Sequence, residues 1–150
     1  MKKILIFDAY PSIRQLLAEE LTAEGYVTMS AGKAEFLSEA VESFGPDLIV
    51  LDLFVRGGIL WSLLEDLKER YPAIPILLFT AFHPNEFPRF KQADGWAQKS
   101  FLFEDLKQKI RTLLEKKGGP SALREPIPAE DSNRFGRQGP SEPATLPWAH

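Results

Sequence analysis

The sequence predicts an α/β protein built on a doubly wound parallel sheet with helices on both faces. Three observations point there. Short runs of Ile, Leu, Val and Phe alternate with segments whose apolar residues recur every three or four positions. The short runs are apolar at nearly every position, as strands buried on both faces are. Several of them close on a chemically distinctive residue, Asp8, Asp52 or Thr80, and in such sheets ligands bind at the carboxyl ends of the strands.

The elements follow in order. Residues 3–8, KILIFD, read as a first strand ending in an acid. Pro11 then suits a helix start, and Ile13, Leu16, Leu17 and Leu21 form a helical stripe that Gly25 closes. Val27–Ser30 is a short second strand. Phe36, Leu37, Ala40, Val41 and Phe44 stripe a second helix, broken by Gly45-Pro46. Leu48–Leu53, LIVLDL, is the strongest strand signal. Arg56-Gly57-Gly58 reads as a loop. Leu60, Leu63, Leu64 and Leu67 mark a third helix closed by Pro72, and Ile76–Thr80 is the next strand. Pro84 and Pro88 interrupt the following segment, so the fourth helix is expected to be short or irregular. Gly95–Gln98 is a last strand. Leu106, Ile110, Leu113 and Leu114 stripe a final helix ending near Lys117. Leu102 falls at its cap position, a poor capping residue, while Glu104 and Asp105 complement the helix dipole. The five strand-helix units imply right-handed crossovers.

Composition bounds the function. The 150 residues carry 18 basic and 21 acidic side chains, a net charge of −3. That balance argues against a broad nucleic-acid-binding face, and no direct nucleic-acid partner is expected. The absence of Cys excludes disulfides and thiolate metal sites, and two His residues do not make a His-rich one. The opening apolar stretch is too short for a signal peptide or membrane span, so a cytoplasmic protein without membrane contact is expected. Proline and glycine supply 10 of the last 33 residues, a share of about 30% typical of disordered segments. The expected organisation is a folded domain at 1–117 and a Pro/Gly-rich disordered tail at 118–150. Leu146-Pro147-Trp148 in that tail reads as solvated chain or as a short recognition segment.

At the strand ends, Asp8, Asp52, Thr80 and Lys99 form one candidate constellation. Each residue alone suits a structural role; the joint placement points to a site. ILIFDAYPSIRQLL, PDLIVLDL, PILLFTA and ADGWAQKSF, in this order, resemble the motifs of response-regulator receiver domains over about residues 3–116. The resemblance implies a flavodoxin-like sheet in strand order 2-1-3-4-5. It implies a signalling domain, not an enzyme, that takes part in its own phosphoryl transfer. Asp52 would be the phosphoacceptor, served by a sensor histidine kinase or a histidine phosphotransfer protein. Thr80 and Lys99 would bind the phosphoryl group, with Ala81 after the hydroxyl and Trp96 as the aromatic that changes packing. Asp8, Asp52 and the backbone carbonyl of Phe54 would hold Mg²⁺. The output is then a contact with an unknown downstream protein, or homodimerisation through the face of the fourth helix, last strand and last helix.

The chain departs from the pattern where the chemistry is concentrated. Ala9 stands where a second acid is usual, so one metal carboxylate is missing. Tyr10 occupies a position where another acid is common. Before metal, a three-acid pocket with one lysine carries about −2 and this one about −1, which predicts weak Mg²⁺ binding. Arg56 and Ser100 replace two family prolines. Arg56 has two readings: a solvent-facing loop residue, or a compensating cation that approaches the phosphoryl oxygens. These departures leave an alternative in which the chain is a pseudo-receiver, a phosphorylation-independent interaction module. Thr80 to Lys99 spans 19 residues, fewer than expected for the family. Phe82, Phe87, Phe90 and Trp96 crowd there, either closing the core over a shortened helix or forming a docking patch.

Overall fold

The fold is described from a computed structural model that covers residues 1–82, 86–100 and 102–118, with backbone alone for Phe90, Lys117 and Gly118. The expected tail, with its Leu146-Pro147-Trp148 segment, lies outside the described residues, as do Pro84 and the Phe90 side chain.

Strand β1 (Lys3–Phe7) leads into helix α1 (Pro11–Ala23), β2 (Val27–Ala31) and, after a 3₁₀ turn at Ala34–Phe36, helix α2 (Leu37–Phe44). Strand β3 (Leu48–Leu51) is followed by β4 (Phe54–Val55), β5 (Gly58–Ile59) and α3 (Trp61–Arg70). Strand β6 (Ile76–Thr80), a 3₁₀ segment at Pro88–Gln92, β7 (Gly95–Gln98) and α4 (Glu104–Gly118) complete the described chain. The main sheet is parallel throughout, in the order β2-β1-β3-β6-β7. With the small β4–β5 hairpin set aside, this is the predicted 2-1-3-4-5 order.

Alternation along the strands builds the two layers, because successive side chains point to opposite faces. Leu5 and Phe7, Ile49 and Leu51, and Ile76 and Leu78 meet Leu37 and Val41 of α2 and Leu64 and Leu67 of α3. Ile4 and Ile6, Leu48 and Val50, and Leu77 and Phe79 meet Leu17 and Leu21 of α1 and Leu106 and Ile110 of α4. Pro11 opens α1 as predicted. Gly45 closes α2 in the left-handed conformation (φ +65°), where its N–H donates to the Val41 carbonyl at 2.9 Å.

Three local expectations are corrected. Arg56-Gly57-Gly58 is not an open loop. Arg56 and Gly57 form the turn of an antiparallel hairpin that pairs Phe54 with Ile59 and Val55 with Gly58. Gly57 and Gly58, at φ +102° and +150°, permit the turn; two-residue strands carry too little periodicity to be read from sequence. The strong apolar strand ends at Leu51 rather than Leu53, because Asp52 turns its carboxylate back onto the N–H of Phe54. The last helix begins at Glu104, so Phe103, not Leu102, precedes it; Leu102 is exposed. The predicted acidic first turn is there. Among the described residues of the fourth crossover, Pro88–Gln92 form the 3₁₀ segment. Arg89 fastens it by pairing with Glu65 of α3 and lying over the Trp61 ring, 5.0 Å from its centroid.

Candidate functional site

The parallel register gathers the predicted residues on one rim. Phe7 pairs with Leu51, and Leu51 with Leu78. Asp8 and Asp52 are therefore the first residues beyond two adjacent central strands, and Thr80 closes the next strand. Lys99 follows β7, with its N–H donating to the Thr80 carbonyl at 2.7 Å. The rim lies where the order β2-β1-β3 reverses direction, the switch point at which such sheets bind ligands.

Lys99 joins the two acids. Its Nζ lies 2.6 Å from Asp52 Oδ2 and 2.8 Å from Asp8 Oδ2. Asp8 and Asp52 are 1% and 5% exposed, so both charges stand nearly out of water. Burial pushes the Asp52 carboxyl above its usual value. The Lys99 ammonium and the Phe54 N–H pull it back, and neighbouring Asp8 pushes it up again. Burial alone would lower the Lys99 ammonium. The hydrogen bond to Asp52 and the attraction of both carboxylates outweigh it, and its pKa is raised.

Backbone donors fix the side chains. Tyr10 N–H donates to Asp8 Oδ1 at 2.9 Å and Phe54 N–H to Asp52 Oδ1 at 3.1 Å. Phe82 N–H donates to Thr80 Oγ1 at 3.2 Å. Sequence reasoning missed one further support. Arg14 Nη1 donates to the Asp8 carbonyl at 2.6 Å, holding the turn that carries the acid. Gly32, on the loop beyond β2, leaves room for that guanidinium; a Cβ at Gly32 would overlap it. A residue six positions after Asp8 on a helix carries no sequence signal of this contact.

The remaining predicted residues take varied positions. Ala81 is exposed beside Thr80. Trp96 is half-buried on β7 against the α2/α3 layer, with Lys109 Nζ 4.6 Å from its ring centroid. Arg56 is exposed at the hairpin turn between Val55 and Gly58. Phe87, and Phe82 in part, close over the site's flank through ring contacts with Phe54. Trp96 packs against the core.

The donor set suits a hard divalent ion. Asp8 and Asp52 supply carboxylate oxygens. Asp8 Oδ2 is buried and accepts no well-aligned hydrogen bond among the described residues, although Lys99 lies close. Two acids are fewer than a dedicated cage offers: among the described residues no group of three or more His, Cys, Asp or Glu side chains is placed to hold a metal ion.

Comparison with known proteins places this arrangement in context. The family model described as response regulator receiver domain matches residues 4–123. The PhoP regulator of alkaline phosphatase synthesis from Bacillus subtilis is 31% identical over 121 residues, 77% of this chain and 49% of that protein. TcrX of Mycobacterium tuberculosis, a probable transcriptional regulatory protein, is 26% identical over 118 residues, 77% of this chain and 50% of that one. The chain thus spans about half the length of the curated relatives it matches. Among solved structures, TrrA of Thermotoga maritima, bound to Mg²⁺ and beryllofluoride, superposes with a TM-score of 0.69 at 34% identity. The match covers 75% of this chain and 99% of that one. TrrA in complex with the histidine kinase ThkA gives 0.66 at 35% identity, covering 76% and 99%.

Proposed function

The chain belongs to the response regulator receiver domain family, and from that premise we propose that Asp52 accepts a phosphoryl group from a histidine kinase or histidine phosphotransfer protein. The observation that carries the reading is the Lys99 ammonium bridging two buried carboxylates on the switch-point rim, with Thr80 beside them. Titratable groups shifted by burial and by specific charge partners, gathered on a ligand-binding rim, support a functional site.

The step is a displacement. An Asp52 carboxylate oxygen forms a P–O bond while the P–N bond to a donor imidazole breaks, and the imidazole takes up a proton from solvent. The charge spreads over the phosphoryl oxygens, so catalysis rests on positioning and on cations. Phe54 N–H holds Oδ1, leaving Oδ2 turned toward Lys99. Incoming oxygens meet that ammonium as it shifts from the carboxylate. Thr80 then donates its hydroxyl to the phosphoryl group, and the movement of its strand end reaches Trp96 on neighbouring β7, paired with Leu78. Asp8, Asp52 and the Phe54 carbonyl would hold Mg²⁺, which when bound neutralises phosphoryl charge. Output passes through protein contacts on the remodelled face of the fourth crossover, β7 and α4.

A titration with beryllofluoride and Mg²⁺, followed by Trp96 fluorescence, tests this reading. A saturable change is expected that disappears in Trp96→Phe and in Asp52→Ala. No change at high ligand selects the pseudo-receiver, the reading that Ala9 and the two-acid site favour.

The missing acid has its own consequence. Restoring it with Ala9→Asp adds a negative charge next to two carboxylates, and Coulomb attraction to a divalent ion then strengthens by enough to raise affinity about tenfold or more. Calorimetry on both proteins measures this. Equal Mg²⁺ affinity would show that the depleted acid pair does not limit the metal.

A further inference from the structure

Two of the three backbone N–H groups that fix side chains at the site belong to residues whose rings touch. Phe54 N–H holds Asp52, and Phe82 N–H holds Thr80. The Phe54 and Phe82 rings stack with centroids 4.2 Å apart and planes 28° from parallel. Phe87 meets both edge-on, at 5.4 and 5.7 Å. Phe82 is 38% exposed, so ring contact rather than deep burial places it. Phe54 is held by its pairing with Ile59 across the hairpin, which the Leu60 N–H fastens to the Leu53 carbonyl at 2.9 Å.

The acceptor loop at 52–54 and the hydroxyl loop at 80–82 are therefore clamped together at their outer ends. A phosphoryl group on Asp52 brings three acceptor oxygens into the space the two loops share. Thr80 must then reposition its hydroxyl on those oxygens, which moves Phe82 relative to the fixed Phe54. We propose that the Phe54–Phe82 stack is a latch: these are positioning residues that hold Asp52 and Thr80 in the resting arrangement and oppose phosphoryl-group binding. The proposal rests on the phosphoacceptor reading above. A contact made only in the resting state lowers apparent affinity for the ligand that needs the other state.

The test is the affinity of the full chain for beryllofluoride with Mg²⁺. Phe82→Ala is expected to bind about two- to tenfold more tightly than wild type, the range an aromatic pair supports. Phe54→Ala should behave alike, and the double variant should add nothing to either single change. Phe82→Tyr, which keeps the stack, should restore wild-type affinity, a rescue that a general loosening of the loop would not give. Unchanged or weaker binding in Phe82→Ala, with the signal still dependent on Asp52, would overturn the latch. Absence of any binding in the wild type would instead overturn the phosphoacceptor reading. The latch is then read from amide exchange of Phe82, expected about two- to tenfold faster in Phe54→Ala; unchanged exchange would overturn it.

Discussion

Lys99→Met destabilises the fold by about 3–5 kcal/mol at neutral pH, the usual effect of removing one partner from a buried charge group, and by clearly less near pH 4. Methionine keeps most of the apolar stem and deletes the ammonium. Asp8 and Asp52, both almost fully buried, then face each other without a cation. Burial already holds the Asp52 carboxyl above its usual value, and Lys99 is the main group drawing it down. Without Lys99 it rises further. An acid whose folded pKa exceeds its unfolded one binds more protons when folded, so its contribution is present at low pH and lost as pH rises through the folded value. The variant therefore gains stability as pH falls from 7 toward 4. In the wild type the Lys99 ammonium is raised by the same two acids. Its contribution is complete below the usual lysine pKa and is lost only as pH rises through the raised one. Urea denaturation at pH 7 and pH 4 measures both curves. An equal deficit at the two pH values would show that the carboxylates are not held apart from water by this pairing.

Much of the fold was legible because its signals are local and repeated. Ile76–Thr80 and Gly95–Gln98 have the bounds that apolar runs and flanking breakers indicate. The chemistry at the strand ends was legible for a related reason: in a parallel sheet, residues that close neighbouring strands arrive on the same rim, so Asp8, Asp52, Thr80 and Lys99 could be grouped without knowing a distance. What stayed hidden was geometry set by tertiary contact. The β4–β5 hairpin rests on two residues per strand and on glycine conformations. Arg14 reaches the Asp8 carbonyl only because Gly32 opens space from a separate loop. The stack of Phe54 on Phe82 joins positions 28 apart in sequence. The cap of α4 was misplaced by one residue, a shift that propensity does not resolve.

Asp52→Asn abolishes phosphoryl acceptance while leaving the fold intact or modestly more stable at neutral pH. The amide has no anionic oxygen to form the P–O bond. It also relieves the cost of ionising a buried carboxyl, whose pKa stands above its usual value because burial disfavours the charge. A residue kept for structure would show the reverse, with stability falling on replacement; activity lost together with stability gained marks a site that trades one for the other. The most direct measurement is mass spectrometry of the full chain after incubation with Mg²⁺ and either acetyl phosphate or a phosphorylated histidine kinase. One hydroxylamine-labile phosphoryl group on Asp52, absent from Asp52→Asn, is the expected result. No incorporation from either donor at saturating Mg²⁺, or incorporation that survives Asp52→Asn, would contradict the account.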